Sequence, residues 1–337
     1  MKYRRLGKTD IKVSVIGFGG IPLQRIDVEA SREVVVAALA AGINFFDTGR
    51  NYGDSEYKLG QALKGHREDS IVATKSMART KETMAAEVTA SLETMELEYI
   101  DLYQLHNVPT MEQLQQVMGP KGALEALVEA KAKGLIKHIG ITSHIKDVIK
   151  EAIKYDVIET IQFPFNAVEP EGVEEILGLA QTADVGVIVM KPLAGGALTN
   201  TSSAFKYILS HPVTTAIPGM DSLEQVQANA QVGSREPVLS DGERQVLEAE
   251  AAQLGKTFCR RCEYCQPCPE GVNIPVIFLL EGYLERYNLP QWSKDRYAGL
   301  PVKIDACLEC GECESKCPYD LPIREMLQRA KSKLEVS

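Results

Sequence analysis

The eight cysteines are the residues whose types and spacing point most directly to chemistry. All eight lie between positions 259 and 317, and the first 258 of the 337 residues contain none. A disulfide framework is typical of small secreted proteins, a class that a chain of this length does not fit. The clustering therefore predicts metal binding, and it marks a domain boundary shortly before Cys259.

The cysteines form two runs, each closed by a proline. The second run has the bacterial ferredoxin spacing C-x2-C-x2-C-x3-C-P, whereas the first has x2 in its last gap. Zinc sites usually combine two spaced pairs of ligands rather than a run of four, so the pattern favours iron–sulfur clusters over zinc. The runs consist of Cys259, Cys262, Cys265 and Cys268, and of Cys307, Cys310, Cys313 and Cys317.

In two-cluster ferredoxins, the fourth cysteine of each run binds the cluster of the other run. By that resemblance, one [4Fe-4S] cluster would be held by Cys259, Cys262, Cys265 and Cys317. The other cluster would be held by Cys268, Cys307, Cys310 and Cys313. The shorter gap in the first run leaves a single cluster as the alternative. The segment Ile274–Tyr287 between the runs has a helical pattern, which resembles the helical two-cluster ferredoxin domains.

A second set of residues follows apolar runs earlier in the chain. Asp47 and Tyr52 lie in FFDTGRNYGDSE, Lys75 lies in ATKS and His106 lies in DLYQLHN. A phenol has a pKa near ~10, and a nearby ammonium, itself kept charged by a carboxylate, lowers that pKa. An imidazole can donate a hydrogen bond to the same substrate oxygen. Together these groups could protonate a carbonyl that is becoming an alkoxide.

Eight short, nearly continuous apolar runs must bring these residues together. The runs alternate with amphipathic segments, which is typical of parallel strands buried on both faces. Eight such units match a (β/α)8 barrel, or TIM barrel, which typically needs about 250 residues. A doubly wound sheet is the rival, but Pro22 stands where its phosphate fingerprint needs a third glycine. The runs are Val13–Gly20, Ile43–Thr48, Ser70–Ser76, Tyr99–His106, Ile136–Ser143, Thr160–Asn166, Val185–Leu193 and Val213–Gly219.

The barrel predicts the location of function, since its active sites lie at the C-terminal ends of the strands. Strands two, three and four would bring the Asp, Tyr, Lys and His to one rim. The segments Tyr3–Asp10 and Lys12–Val15 are predicted to form a hairpin that plugs the opposite end. We assign residues 1–235 to the barrel, 236–257 to a linking helix and 258–337 to a small, mostly helical ferredoxin-like iron–sulfur domain.

The barrel segments resemble the signatures of the aldo-keto reductases. FDTGRNYGDSE, ATKS, YIDLYQLHN and the opening YRRLGKTDIKVSVIGFGG carry the resemblance in strand order and spacing, across residues 1–235. The resemblance implies an oxidoreductase in which Tyr52 is the general acid. It further implies that Lys75 and Asp47 tune Tyr52 and that His106 orients a small-molecule carbonyl or alcohol substrate.

The same resemblance implies that NAD(H) or NADP(H) binds across the barrel mouth. The residues at the matching positions are Ser143, Gln162, Asn166, Met190, Lys191, Leu193, Gly219, Gln225 and Asn229. Met190 and Lys191 replace the aromatic and serine that usually follow strand seven, so a flavin at the mouth is an alternative cofactor. Asp221 would repel a 2′-phosphate and suit a ribose hydroxyl, which favours NAD over NADP.

Composition excludes several other classes of function. The chain has a net charge of −9, and an acidic surface repels nucleic acid. No apolar stretch approaches the roughly 18 residues of a membrane helix, and no signal-peptide pattern follows the basic N-terminal residues. We therefore expect a cytoplasmic protein that binds neither nucleic acid nor membranes.

Two interpretations of function follow from the two sets of residues. In the favoured one, the barrel reduces a carbonyl or oxidises an alcohol, and the clusters connect it to a one-electron partner such as a ferredoxin. In the alternative, the chain is an electron-transfer or interaction protein whose barrel is inactive. The favoured interpretation must link a two-electron hydride to clusters that each pass one electron, a task for which enzymes usually use a flavin.

Overall fold

The computed structural model describes residues 1–261 and 264–335, and the chain divides into two compact units. The first unit holds most of the chain up to Ser240. The second unit holds the residues from Asp241 on, together with the loops Ala167–Glu169 and Leu193–Thr199.

The first two strands, β1 (Tyr3–Arg5) and β2 (Lys12–Ser14), pair as an antiparallel hairpin. The hairpin was predicted, but the prediction of one barrel strand over Val13–Gly20 was wrong in its extent. The backbone of Val13 and Ser14 is paired with β1, so only the end of that run joins the barrel.

Eight parallel strands form the barrel, and they pair in sequence order. They are β3 (Phe18–Gly19), β4 (Phe45–Asp47), β5 (Ile71–Ser76), β6 (Ile100–Leu105), β7 (Ile136–Thr142), β8 (Thr160–Pro164), β9 (Gly186–Met190) and β10 (Thr215–Ala216). Parallel bridges from Ile16 to Ala216 and from Gly19 to Gly219 join the first strand to the last. This closed order confirms the (β/α)8 barrel and excludes the doubly wound sheet, whose strand order reverses midway.

The hairpin closes one end of the barrel interior. Leu6 and Val13 of the hairpin are buried in one cluster with apolar side chains of the barrel strands, namely Phe45, Ala73, Leu102, Ile188 and Ile217. Gly186, the first residue of β9, leaves room for this contact, because a Cβ on it would lie 2.6 Å from Cδ1 of Leu6. The predicted plug is thereby confirmed at the N-terminal end of the strands.

Nine α-helices of the first unit surround the sheet. They are α1 (Val28–Ala40), α2 (Ser55–Ala62), α3 (Lys81–Met95), α4 (Met111–Met118), α5 (Ala123–Ala132), α6 (Lys146–Ala152), α7 (Val173–Thr182), α8 (Thr201–Leu209) and α9 (Leu223–Gly233), with 3-10 turns at Ile21–Arg25 and Arg67–Asp69. Side-chain caps fix several helix starts: Asp27 accepts from the Ala30 amide and Thr80 accepts from the Thr83 amide.

The second unit is helical throughout its described residues. It contains α10 (Asp241–Gly255), α11 (Ile274–Glu285), α12 (Pro290–Ala298), a 3-10 turn (Ile304–Ala306), α13 (Glu312–Ser315) and α14 (Ile323–Leu334). The helix predicted between the cysteine runs is α11, which begins after the cap Asn273. Its buried face packs in one core with Leu327 and Ala330 of α14. Among the described residues, no helix is both long and apolar enough to cross a membrane.

Candidate active site and metal centre

The four predicted catalytic residues lie at one end of neighbouring strands. Asp47 is the last residue of β4, Lys75 is the penultimate residue of β5 and His106 directly follows β6. Tyr52 lies in the loop between β4 and α2, and it is half-buried. Because adjacent strands pair in parallel, the ends of β4, β5 and β6 reach the same rim.

Lys75 is the centre of this group. Its Nζ donates hydrogen bonds to Oδ1 of Asp47 and to the backbone oxygen of Thr48, each 2.6 Å away. The same nitrogen lies 4.9 Å from the centroid of the Tyr52 ring. The Tyr52 ring in turn meets the His106 ring edge to face, with centroids 5.7 Å apart at an angle of 85°. The structure therefore brings all four predicted residues together.

Burial and charge shift the pKa values of these groups. Burial raises the pKa of Asp47 and lowers the pKa of Lys75, and the ion pair between the two residues opposes both shifts. Burial also holds the pKa of His106 well below its ordinary value, and the charges of Lys75 and Arg79 lower it further. At neutral pH the His106 imidazole is therefore uncharged and can donate one hydrogen bond.

Two glutamines complete the surroundings of Asp47. Gln104 donates from Nε2 to Oδ2 of Asp47 over 3.3 Å, and Gln162 also hydrogen-bonds to this carboxylate. Gln104 was missed in the sequence, although a signal was present: it lies two residues before His106 on β6, and alternate residues of a strand share a face. Gln162 was predicted as a cofactor contact, and the structure places its side chain on Asp47.

Several of the predicted cofactor residues are engaged with the backbone of the rim. Ser143 donates from Oγ to the backbone oxygen of Val108 over 2.6 Å. Asn166 donates from Nδ2 to the backbone oxygen of Lys191 over 3.1 Å. Met190 ends β9 and packs against the barrel core, while Leu193 belongs to the second unit.

The residues after β10 form a compact turn into α9. Gly219 pairs with Gly19, and a Cβ on Gly219 would lie 2.6 Å from Cγ of Pro22. Gln225 accepts a hydrogen bond from the Asp221 amide at 2.8 Å, and Asn229 is buried on α9.

Asp221 is not a lone carboxylate, as its treatment in the sequence assumed. Arg25, in the 3-10 turn after β3, places Nη1 3.3 Å from Oδ2 of Asp221, and both side chains are about four-fifths buried. The ion pair crosses the seam where the first and last strands meet. The sequence carried no signal for it, because the two residues are far apart along the chain.

Two cavities of the second unit are lined by cysteines from both runs. One, of about 340 Å³ including space open to solvent, is lined by Cys259, Cys265 and Cys317. The other, of about 390 Å³ on the same measure, is lined by Cys265, Cys268, Cys307, Cys310 and Cys313. Each run thus sends its last cysteine to the cavity of the other run. The predicted ligand Cys262 lies outside the described residues.

The cysteine set suits iron–sulfur clusters. All seven described cysteines are thiols rather than disulfides. Within the described part of the chain, no three His, Cys, Asp or Glu side chains come close enough to hold one metal ion. A cubane takes each thiolate on a different iron, so its ligands stand farther apart than those of a single zinc ion.

Comparison with known proteins agrees with both units. The sequence model of the Aldo/keto reductase family matches residues 15–204, and that of the 4Fe-4S dicluster domain matches residues 258–321. The NADH-specific methylglyoxal reductase of Escherichia coli (strain K12) is 30% identical over 232 residues, which are 60% of this chain and 70% of that protein. The L-galactose dehydrogenase of Arabidopsis thaliana is 28% identical over 302 residues, 74% of this chain and 94% of that protein.

A solved structure shows the same likeness in three dimensions. An aldo-keto reductase from Bacillus halodurans, in its holo form, superposes with a TM-score of 0.66 at 31% identity, covering 74% of this chain and 96% of that chain. The predicted family, fold class and iron–sulfur domain are thereby confirmed. The chain belongs to the aldo/keto reductase family of oxidoreductases, and it carries a 4Fe-4S dicluster domain after its barrel.

Proposed function

We propose that the barrel reduces the carbonyl of a small molecule, or oxidises the corresponding alcohol, with Tyr52 as general acid or base. The observation that carries this proposal is the buried ion pair of Lys75 and Asp47 beside the Tyr52 ring. A fixed ammonium stabilises the phenolate that remains once the proton has left. A phenol needs such stabilisation to act as an acid near neutral pH.

In the direction of reduction, a bound reduced nicotinamide supplies a hydride to the carbonyl carbon. Tyr52 gives its proton to the carbonyl oxygen, on which negative charge develops, and the product is the alcohol. His106 donates a hydrogen bond to the same oxygen, because its uncharged imidazole keeps one N–H. The phenolate left on Tyr52 is stabilised by Lys75 and takes up a proton from solvent.

We infer that NAD(H) is the preferred nucleotide, bound in part by Gly219, Gln225 and Asn229. Asp221 lies in the same turn, where its carboxylate repels a 2′-phosphate and occupies Arg25, the nearby cation. The name of the E. coli relative, an NADH-specific reductase, supports the same preference.

We further infer that the second unit holds two [4Fe-4S] clusters with crossed ligands. Cys317 would join Cys259, Cys262 and Cys265, and Cys268 would join the first three cysteines of the second run. The two cysteine-lined cavities and the crossing of the runs between them support this assignment. Each cluster would pass one electron, with a ferredoxin or another cytoplasmic redox protein as the partner.

Anaerobic reduction of a panel of aldehydes and ketones with NADH deuterated at C4 tests the proposal. Deuterium on the carbinol carbon of the product is the expected result, because it requires direct hydride transfer. Loss of the label to solvent would contradict direct transfer and point to a flavin. Reduction of the clusters without any carbonyl reduction would support the second candidate, an electron-transfer protein with an inactive barrel.

A further inference from the structure

Arg79 is a residue of the barrel rim that the proposed function leaves without a role. It is half-buried in the loop between β5 and α3. Its Nη2 donates to the backbone oxygens of His106, at 3.0 Å, and of Asn107, at 2.8 Å. Its Nε donates to Oε1 of Gln113 on α4 at 2.9 Å. The guanidinium thus holds both peptide groups that follow β6.

The charge of Arg79 is not neutralised nearby. Other half-buried arginines of the first unit have carboxylate partners: Arg25 pairs with Asp221, Arg50 with Glu56 and Arg67 with Asp101. Within residues 1–261 and 264–335, no carboxylate forms an ion pair with Arg79, and its buried Nη1 has no hydrogen-bond partner. A desolvated charge without a counter-charge costs stability, so its retention here indicates a use for the charge.

The backbone that Arg79 holds is unusual. Asn107 has a φ of 47°, in the left-handed region that few residues other than glycine adopt. Its amide donates to Oγ1 of Thr142 on β7 at 2.7 Å, and the His106 amide donates to the backbone oxygen of Ser76 on β5 at 2.9 Å. Arg79 supplies the remaining contacts, on the carbonyl side, so the backbone carrying the imidazole is fixed from several directions.

The charged and titratable groups around His106 come from several elements. Lys75 of β5 and Arg79 of the following loop are cations, and both disfavour a positive charge on the imidazole. Tyr52 presents its ring edge to face, and Asp47 is held by Lys75. Of the two cations, only Lys75 has a carboxylate partner among the described residues, so the charge of Arg79 acts on His106 without compensation.

We propose that Arg79 is a positioning residue for His106: it holds the two carbonyls that aim the imidazole and places an uncompensated positive charge beside it. The proposal rests on the role proposed above for His106 as the hydrogen-bond donor to the substrate oxygen. It assigns to one side chain both the direction of the imidazole and its uncharged state.

A histidine titration followed by NMR on the intact 15N-histidine-labelled protein tests the charge part of the proposal. The chain has five histidines, and the signal of His106 is identified by its loss in His106→Asn. Arg79→Gln is expected to move the titration midpoint of His106 upward, because it removes a cation. Arg79→Lys, which keeps the charge, is expected to restore the low midpoint. An unchanged midpoint in Arg79→Gln would overturn the proposal.

Steady-state kinetics test the positioning part. Arg79→Gln should lower kcat about tenfold with little change in KM, the loss expected for one or two charge-assisted hydrogen bonds. Arg4→Gln is the matched control, because Arg4 also donates to backbone carbonyls, of Leu209, His211 and Val213, away from the active rim. An equal loss of kcat in both variants would show a merely structural effect and overturn the proposal.

These outcomes are separable from failure of the proposed function. If His106→Asn keeps the wild-type kcat/KM, the proposed role of His106 fails and the positioning role fails with it. If His106→Asn loses activity while Arg79→Gln loses none, the proposed function stands and only the role of Arg79 is wrong.

Discussion

The ammonium nitrogen of Lys75 lies 4.9 Å from the centroid of the Tyr52 ring and donates a 2.6 Å hydrogen bond to Asp47. Lys75 and Asp47 are both buried, so solvent ions screen their charges little. The positive charge beside the phenol is therefore in place before any substrate binds. Such preorganised charge stabilises a developing phenolate without rearrangement during the reaction.

Tyr52→Phe should lower kcat for carbonyl reduction by about 10²-fold or more, because the proton donor is lost. Iron content should stay at the wild-type value. Tyr57→Phe is the matched control, since Tyr57 lies five residues later on α2 and is exposed, and it should keep wild-type rates. Wild-type kcat in Tyr52→Phe would contradict the assignment of the general acid.

Asp47→Asn should reduce both activity and stability. Without the carboxylate, burial lowers the pKa of Lys75 further, so the amine loses its charge and no longer stabilises the phenolate. Breaking a buried pair in this way costs about 3–5 kcal/mol in the free energy of unfolding, measured by urea denaturation. Asp101→Asn breaks the ion pair with Arg67 and should lower stability while leaving kcat unchanged. A full kcat in Asp47→Asn would refute the tuning role.

Asp221→Ser should strengthen NADPH binding about tenfold and change NADH binding much less. The substitution removes a carboxylate that repels the 2′-phosphate and releases Arg25 for a charge-assisted hydrogen bond. Fluorescence titration with both nucleotides measures the effect. Asp184→Asn, which frees Arg5 from a 2.6 Å ion pair at another part of the barrel, should leave both affinities unchanged. Tighter binding of NADPH than NADH by the wild type would contradict the preference.

Paired cysteine substitutions should reveal the crossed ligands of the clusters. Loss of Cys259 and Cys317 together should remove one cluster and leave about four irons per chain, from about eight. Loss of Cys259 and Cys268 together should remove both clusters, because these residues line different cavities. Iron and acid-labile sulfide analysis distinguishes the two results, and Leu308→Ala, at an exposed neighbour of Cys307, serves as the control. Four irons retained without Cys259 and Cys268 would rule out the crossing.

Glu159→Gln should destabilise the barrel at neutral pH and lose this effect in acid. Burial alone would raise the pKa of Glu159, but hydrogen bonds from His138, Lys131 and the Ile139 amide lower it to about 2. A carboxylate with a depressed pKa in the folded state stabilises above its ordinary pKa of 4.5, and this contribution fades as the pH falls toward 2.

Urea unfolding of wild type and Glu159→Gln at several pH values between 7 and 3 measures that difference. The gap in unfolding free energy should narrow steadily below pH 4.5. Glu151→Gln, at a surface ion pair with Lys154, should change stability little at any pH. A gap that stays constant with pH would contradict the depressed pKa.

The sequence predicted well wherever a local pattern carried the information. Continuous apolar runs identified all eight barrel strands, and the length of each run fell close to the observed element. The exception was Val13–Gly20, where the hairpin and the barrel strand share one apolar run, so hydrophobicity could not reveal the division. The side chains of Asp47, Lys75 and His106 were located correctly because strand ends in a barrel share one rim.

Contacts between distant segments were not predictable in the same way. Gln104 and Gln162 reach Asp47 from two further strands, and nothing in either segment distinguishes these glutamines from ordinary buried amides. The pairing of Arg25 with Asp221 depends on closure of the barrel seam, which brings together residues almost two hundred positions apart. Such contacts arise from the radius and register of the closed sheet.

By itself, the sequence determined the kinds of chemistry this protein can perform. Thiolate spacing specifies a cluster-binding domain, and a phenol, an amine, a carboxylate and an imidazole at successive strand ends specify a proton-donating site. Only the tertiary structure decided how the charges are balanced: Lys75 is neutralised by Asp47, Asp221 by Arg25, and Arg79 by no described carboxylate. The physical reason is that residue type and local period are properties of short segments. The electrostatic state of a buried group depends instead on every element that folding packs against it.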